Sequence, residues 1–83
     1  MNNKNLINNN LYSTSDLSLA AVLCLHYPIK AVNKKNQKKA YFIFEKDKNF
    51  DLLLERYWHG DLKVDPQQYF NNLRILKNRI YNS

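Results

Sequence analysis

Apolar residues run unbroken from Leu19 to Leu25, fill Tyr41 to Phe44 with aromatic and β-branched side chains, and then recur twice at helical spacing. The first run predicts a helix over Leu17–Leu25 that is buried on most of its circumference, with Thr14 or Ser15 as its cap and Asp16 at the positive end of its dipole. Pro28 stops it, because a proline disfavours the α conformation of the residue before it. Ile29–Asn33 and Lys39–Glu45 read as two strands of an antiparallel hairpin around Lys34-Lys35-Asn36-Gln37-Lys38. Ala40, Phe42 and Phe44 are expected on one face, Tyr41 and Ile43 on the other. Both faces are apolar, so a third element or a partner is needed over the second one.

After Asn49, a cap candidate, Phe50, Leu53, Leu54 and Tyr57 mark the inward stripe of a helix ending at Gly60, the only glycine in the chain. Asp65-Pro66-Gln67-Gln68 combines a cap, a first-turn proline and a capping-box glutamine, the strongest helix start in the sequence. That helix should run from Pro66 to about Tyr81 with Tyr69, Leu73, Leu76 and Ile80 facing in. Met1–Tyr12, rich in asparagine and without a period, reads as a disordered tail. The expectation is a single α+β domain over 13–83, in the order α-β-β-α-α, with the hairpin packed on helices.

A chain of 83 residues has room for one core and is small enough for oligomerisation to matter. Cys24, its one cysteine, sits in an apolar run, so no intrachain disulfide can form and a reducing, cytoplasmic setting is expected. Leu19–Leu25 is far shorter than the roughly 20 residues of a membrane span, and Asp16 stands where a signal peptide wants positive charge. No membrane is expected.

Charge changes the picture more. Seven lysines against Glu45 and Asp47 give Ile29 to Lys48 a net +5, leaving +1 for the rest of a chain whose formal total is +6. A charge so localised points to an anionic partner. Lys34, Lys35, Lys38 and Lys39 can grip phosphates, Asn36 and Gln37 can supply hydrogen bonds, and Tyr41 can stack a base. On the last helix Gln67, Asn71, Arg74 and Asn78 fall on one outer stripe, and Arg74 with the flanking Lys77 and Arg79 offers a second basic surface. The competing explanation is that lysines on an edge hairpin keep strands from pairing between molecules.

Catalytic and metal chemistry find little support. His26 and His59 are separated by the hairpin and a helix and lack paired spacing with Cys24, Asp61 or Asp65, while Asp51 and Glu55 fit a solvated helix face. One glycine cannot make a phosphate loop. No enzyme activity and no cofactor are expected.

Ser15-Asp16-Leu17 with Ala20-Ala21, Phe42-Ile43-Phe44-Glu45, Tyr57-Trp58 with Gly60, Leu62, Val64-Asp65-Pro66, Tyr69, and Leu73, Leu76-Lys77 and Ile80-Tyr81 together resemble a family of very short proteins of unknown function from bacteria and their phages. The resemblance spans about Ser13 to Asn82, with one departure at His26, where members often carry a glycine. It supports the fold and implies no functional residue. The function expected from the residues is nucleic-acid binding through the lysine hairpin by a small accessory protein. The alternative is a protein-interaction module or homodimer using the Tyr41 and Ile43 face or Trp58.

Overall fold

Tyr41–Glu45, the most aromatic segment of the chain, is the middle strand of a three-stranded antiparallel sheet in a computed structural model that describes residues 10–36 and 38–82. In chain order the strands are β1, Leu11–Thr14, β2, Ile29–Asn33, and β3, Tyr41–Glu45, and they lie side by side as β1-β3-β2. Tyr12 and Thr14 oppose Phe44 and Phe42 from one side, while Ile29 and Val32 oppose the same two residues from the other. A bulge between Ile29 and Ala31 keeps both Ile29 and Val32 on the core face, since the extra residue, Lys30, absorbs the change of phase. Phe42 and Phe44 are fully buried; Tyr41 and Ile43 are half-buried on the opposite face, as their alternation predicts.

β1 corrects the expected element order to β-α-β-β-α-α and moves the start of the ordered chain ahead of Ser13. The boundary drawn after Tyr12 falls inside this strand. Four residues with no turn signal carry no local signature, and what makes them a strand is the free edge of β3, a partner about 30 residues away that sequence periodicity does not register. The ladder continues beyond the strand, where the Lys46 N–H donates to the Asn10 carbonyl at 2.7 Å. Met1–Asn9, the greater part of the asparagine-rich tail, and Gln37 lie outside the described residues.

α1, Leu17–Leu23, has five consecutive buried residues from Leu19 to Leu23 and lies in the centre of the core. Its cap is Asp16, whose carboxylate accepts from the Leu19 N–H at 3.2 Å, and not Thr14 or Ser15. Thr14 instead accepts from the Asp16 N–H at 3.1 Å and so fixes the capping residue itself. The helix ends a half-turn earlier than Leu25 because turn bonds converge on it: the His26 and Tyr27 N–H groups both donate to the Leu23 carbonyl. α1 packs against α3, Pro66–Asn82, and the Asn72 carboxamide donates to the Ala21 carbonyl at 3.1 Å across that contact. Ala20 and Ala21 have no exposed surface, and their small side chains let the two backbones approach.

α2, Phe50–His59, pins the remaining side of the core with Phe50, held between Tyr12 and Tyr27 at ring-centroid distances of 5.2 and 5.0 Å. Burying a phenylalanine contributes about 1.5–3 kcal/mol, so Phe42, Phe44 and Phe50 are major contributors to a fold of this size. Asn49 makes no capping bond; the Asp47 carboxylate takes the Asn49 N–H at 2.9 Å, because Asn49 is already in a helical conformation and the chain turns one step earlier. Gly60 closes α2 in the left-handed region at φ 76°, and Asp65 caps α3 by accepting from the Gln68 N–H at 2.9 Å. Leu76 is buried, and Tyr69, Leu73 and Ile80 pack around it.

Candidate nucleic-acid interface

The loop between β2 and β3 runs from Lys34 to Ala40, two residues longer than the expected tip, because Lys39 and Ala40 stay outside the strand. Two side-chain-to-backbone turns shape it. The Asn33 carboxamide oxygen accepts from the Lys35 N–H at 2.9 Å, and that of Asn36 from the Lys38 N–H at 2.8 Å. Asn36 therefore spends its acceptor on the loop. These turns hold the lysines in a defined arc, all of them exposed.

The arc folds back against the end of α3. The Lys34 ammonium donates to the Arg79 carbonyl at 3.3 Å, and Lys34, Lys38, Lys39, Ser15, Ile80 and Tyr81 line an open depression of about 380 Å³ that Asn36 also borders. Its electrostatics are one-sided: no acidic residue occurs between Ile29 and Phe44, and none in α3 from Pro66 to Asn82. The carboxylate closest in sequence, Asp16, is engaged at the Leu19 N–H. Tyr81 stands over the depression with 78 % of its surface exposed.

Of the residues singled out from the sequence, Lys34, Asn36, Lys38 and Lys39 come together here, and Lys35 is exposed on the same loop. Tyr41 faces outward as expected but is half-buried on the sheet opposite Asn33 and does not line the depression. Arg74 and Lys77 are exposed on α3 within about 60° of arc of Tyr81, counting about 100° per residue. Arg79 is not grouped with them: two residues from Tyr81, it points roughly 160° away around the helix. Its charge acts instead on Cys24, partly offsetting the burial that pushes that thiol's pKa up. Tyr81 and Ser15 escape a reading of the sequence for site residues, since nothing in their neighbourhood along the chain shows that a distant loop comes to rest beside them.

Other chemistry is sparse. Among the described residues no three His, Cys, Asp or Glu side chains gather as a metal ion would require, and no helix is long and apolar enough to cross a membrane. Tyr27 and Asp47 form a close pair, the hydroxyl donating to the carboxylate at 2.6 Å. Partial burial and then this bond push the Tyr27 pKa up to about 12, while the Tyr27 hydroxyl and the Asn49 N–H pull Asp47 below its ordinary value.

The family described as a domain of unknown function, DUF5659, matches residues 9–82, nearly the whole chain and the whole of the fold just described. The chain belongs to the DUF5659 family. The DUF5659 match takes in β1 and so covers the complete three-stranded sheet of this chain with its helices. No curated protein and no solved structure matches the chain.

Proposed function

We propose that this chain is a small, non-enzymatic accessory protein of a bacterium or mobile element, cytoplasmic, that binds nucleic acid with the lysine loop between β2 and β3. The observation that carries this reading is the depression shared by Lys34, Lys38, Lys39 and Tyr81, in which exposed cations and an exposed aromatic ring stand together on two segments of chain free of carboxylates. Phosphates supply the complementary charge, and a base supplies the flat partner for the ring. A solvent-exposed arrangement meant only to prevent strand pairing needs the lysines but not the tyrosine. Cys24, a half-buried free thiol, fits a reducing compartment. Titration of labelled nucleic acid across a salt series tests the reading directly, with a steep fall in affinity as salt rises as the expected result.

A second reading has its own observation. The outer face of the sheet carries half-buried Leu11, Tyr41 and Ile43, and the helices pack on the opposite, Phe42 and Phe44 face. With Trp58 63 % exposed on α2, this supports a protein-interaction module. A chain that dimerises through the sheet in sedimentation, and binds no nucleic acid at low salt, favours this second reading.

A further inference from the structure

Four residues of α3, Phe70, Arg74, Lys77 and Tyr81, recur at intervals of four, three and four, which confines them to about 60° of arc on an α-helix. All four are exposed, Phe70 by 58 % and Tyr81 by 78 %. Two large aromatic rings thus stand in solvent at the ends of a cationic stretch about 16 Å long, at 1.5 Å of rise per residue. The helix buries Leu76 and packs Tyr69, Leu73 and Ile80 against the core along an adjoining stripe, and although the Phe70 ring meets Tyr69 edge-on at 5.7 Å, more than half of its surface stays open to solvent. One end of the stripe is continuous with the basic depression, where Tyr81 meets Lys34, Lys38 and Lys39.

We infer that the ligand is a single-stranded nucleic acid whose backbone passes from the lysine loop along α3, with one base stacked on Tyr81 and another on Phe70. The inference rests on the nucleic-acid reading above and deepens it by naming the form of the ligand. Bases in a duplex are stacked on one another and hide their faces, so an exposed ring gains nothing from them; unpaired bases offer a face to any aromatic of suitable spacing. Arg74 and Lys77 lie between the rings, where the connecting phosphates pass, and the Asn71 carboxamide oxygen accepts from the Arg74 guanidinium and steadies it. A duplex-reading helix would instead want polar base-edge readers where Phe70 and Tyr81 stand.

The test uses the full chain, fluorescent oligothymidylate and oligouridylate of about 20 nucleotides, longer than the usual site of such proteins, and a mixed-sequence duplex of equal length. Anisotropy should show single strands bound at least about tenfold more tightly than duplex, and Tyr81→Ala or Phe70→Ala should weaken single-strand binding roughly tenfold, the scale of one stacked base. The salt slope and the duplex affinity should stay unchanged. Tyr81→Phe should restore binding, because stacking uses the ring and not the hydroxyl. Circular dichroism spectra identical to the parent confirm that these exposed substitutions leave the fold intact, and the tighter of the two single strands names the sugar. If duplex and single strand bind equally, or if Tyr81→Ala and Phe70→Ala bind single strands as the parent does, the stacking inference is overturned while the basic loop stands. If neither form binds at low salt, both readings fail and the exposed rings belong to a protein contact.

Discussion

The Lys34 ammonium donates to the Arg79 carbonyl oxygen at 3.3 Å, joining the tip of the β2–β3 loop to the last turn of α3. Carbonyls of a last turn lie beyond the regular bonding of the helix, and the lysine there meets the negative end of the helix dipole. One bond thereby serves a helix end and brings two cationic segments, far apart in the sequence, onto a single surface.

Replacing Lys34, Lys35, Lys38 and Lys39 together with glutamine should weaken binding to nucleic acid of any sequence. The plot of log affinity against log salt should flatten by about 0.9 for each phosphate no longer neutralised on B-form DNA, or about 0.7 on a single strand. Stability should change little. Only Lys34 has a helix end to serve, so Lys34→Gln alone should cost roughly 0.3–1 kcal/mol in denaturant melts, and the other three close to nothing. A variant that folds with unchanged affinity and slope would reduce the loop lysines to guards against strand pairing, and aggregation of the quadruple variant would then be the sign to seek.

The caps separate residues that hold helices from residues that only resemble caps. Asp16→Ala and Asp65→Ala should each cost about 1 kcal/mol, because each leaves a backbone N–H of the first turn without its carboxylate. Asn49→Ala should stay within about 0.5 kcal/mol, since its side chain caps nothing. Gly60→Ala has room for the added methyl but must hold a left-handed backbone, at a cost of roughly 1–2 kcal/mol. Urea denaturation of the four variants would read these differences, and a loss at Asn49 equal to that at Asp16 would contradict the assigned caps.

These elements also mark what the sequence made legible. The inward faces of α2 and α3, the alternation of β3 and the Gly60 and Asp65 boundaries are local signals, carried by periodicity or by one residue's backbone preference, and each is where its pattern places it. β1 escaped because Leu11–Thr14 becomes a strand only through pairing with β3. The site was half legible for the same reason: lysines clustered along the chain announce themselves, and helical spacing alone turns Arg79 away from Tyr81, whereas the approach of Tyr81 to the lysines is settled by how α3 packs on α1.

Stability should fall off at both ends of the pH scale through one pair. The Asp47 carboxyl is held below its ordinary 3.8, so its contribution is full above that value and is lost as pH falls through the lower, folded value. Tyr27 is raised from 10.0 to about 12, so the folded state keeps its proton longer than the unfolded chain, and that contribution is full below pH 10 and is lost as pH rises toward 12. Tyr27→Phe should therefore flatten the melting temperature against pH on both limbs. The alkaline limb should not vanish, because burial also raises Tyr12 and Tyr57. Parallel profiles for the variant and the parent would show that the bond carries no linkage.

Removing the chain through Thr14 should unfold or aggregate the protein, although among the described residues it deletes one short edge strand. Three things go at once. The Tyr12 ring leaves Phe50, which it meets at 5.2 Å; the Asp16 N–H loses the Thr14 hydroxyl that orients the cap of α1; and one whole edge of β3 is stripped of its partner. Deleting a partly buried aromatic ring and a supporting hydrogen bond costs on the order of 2–4 kcal/mol together, a large share of the 5–15 kcal/mol that a whole domain has. The exposed edge adds a kinetic hazard, since Tyr41-Phe42-Ile43-Phe44 is an apolar β-forming run with no charge inside it to deter pairing with another molecule. A point variant separates the two effects. Tyr12→Ala removes the ring but leaves the backbone ladder, so it should lower the melting temperature and remain monomeric by light scattering, whereas the truncated chain should elute as larger species. A truncated chain that melts like the parent as a monomer would mean that β1 is dispensable and that the fold is complete from α1 onward.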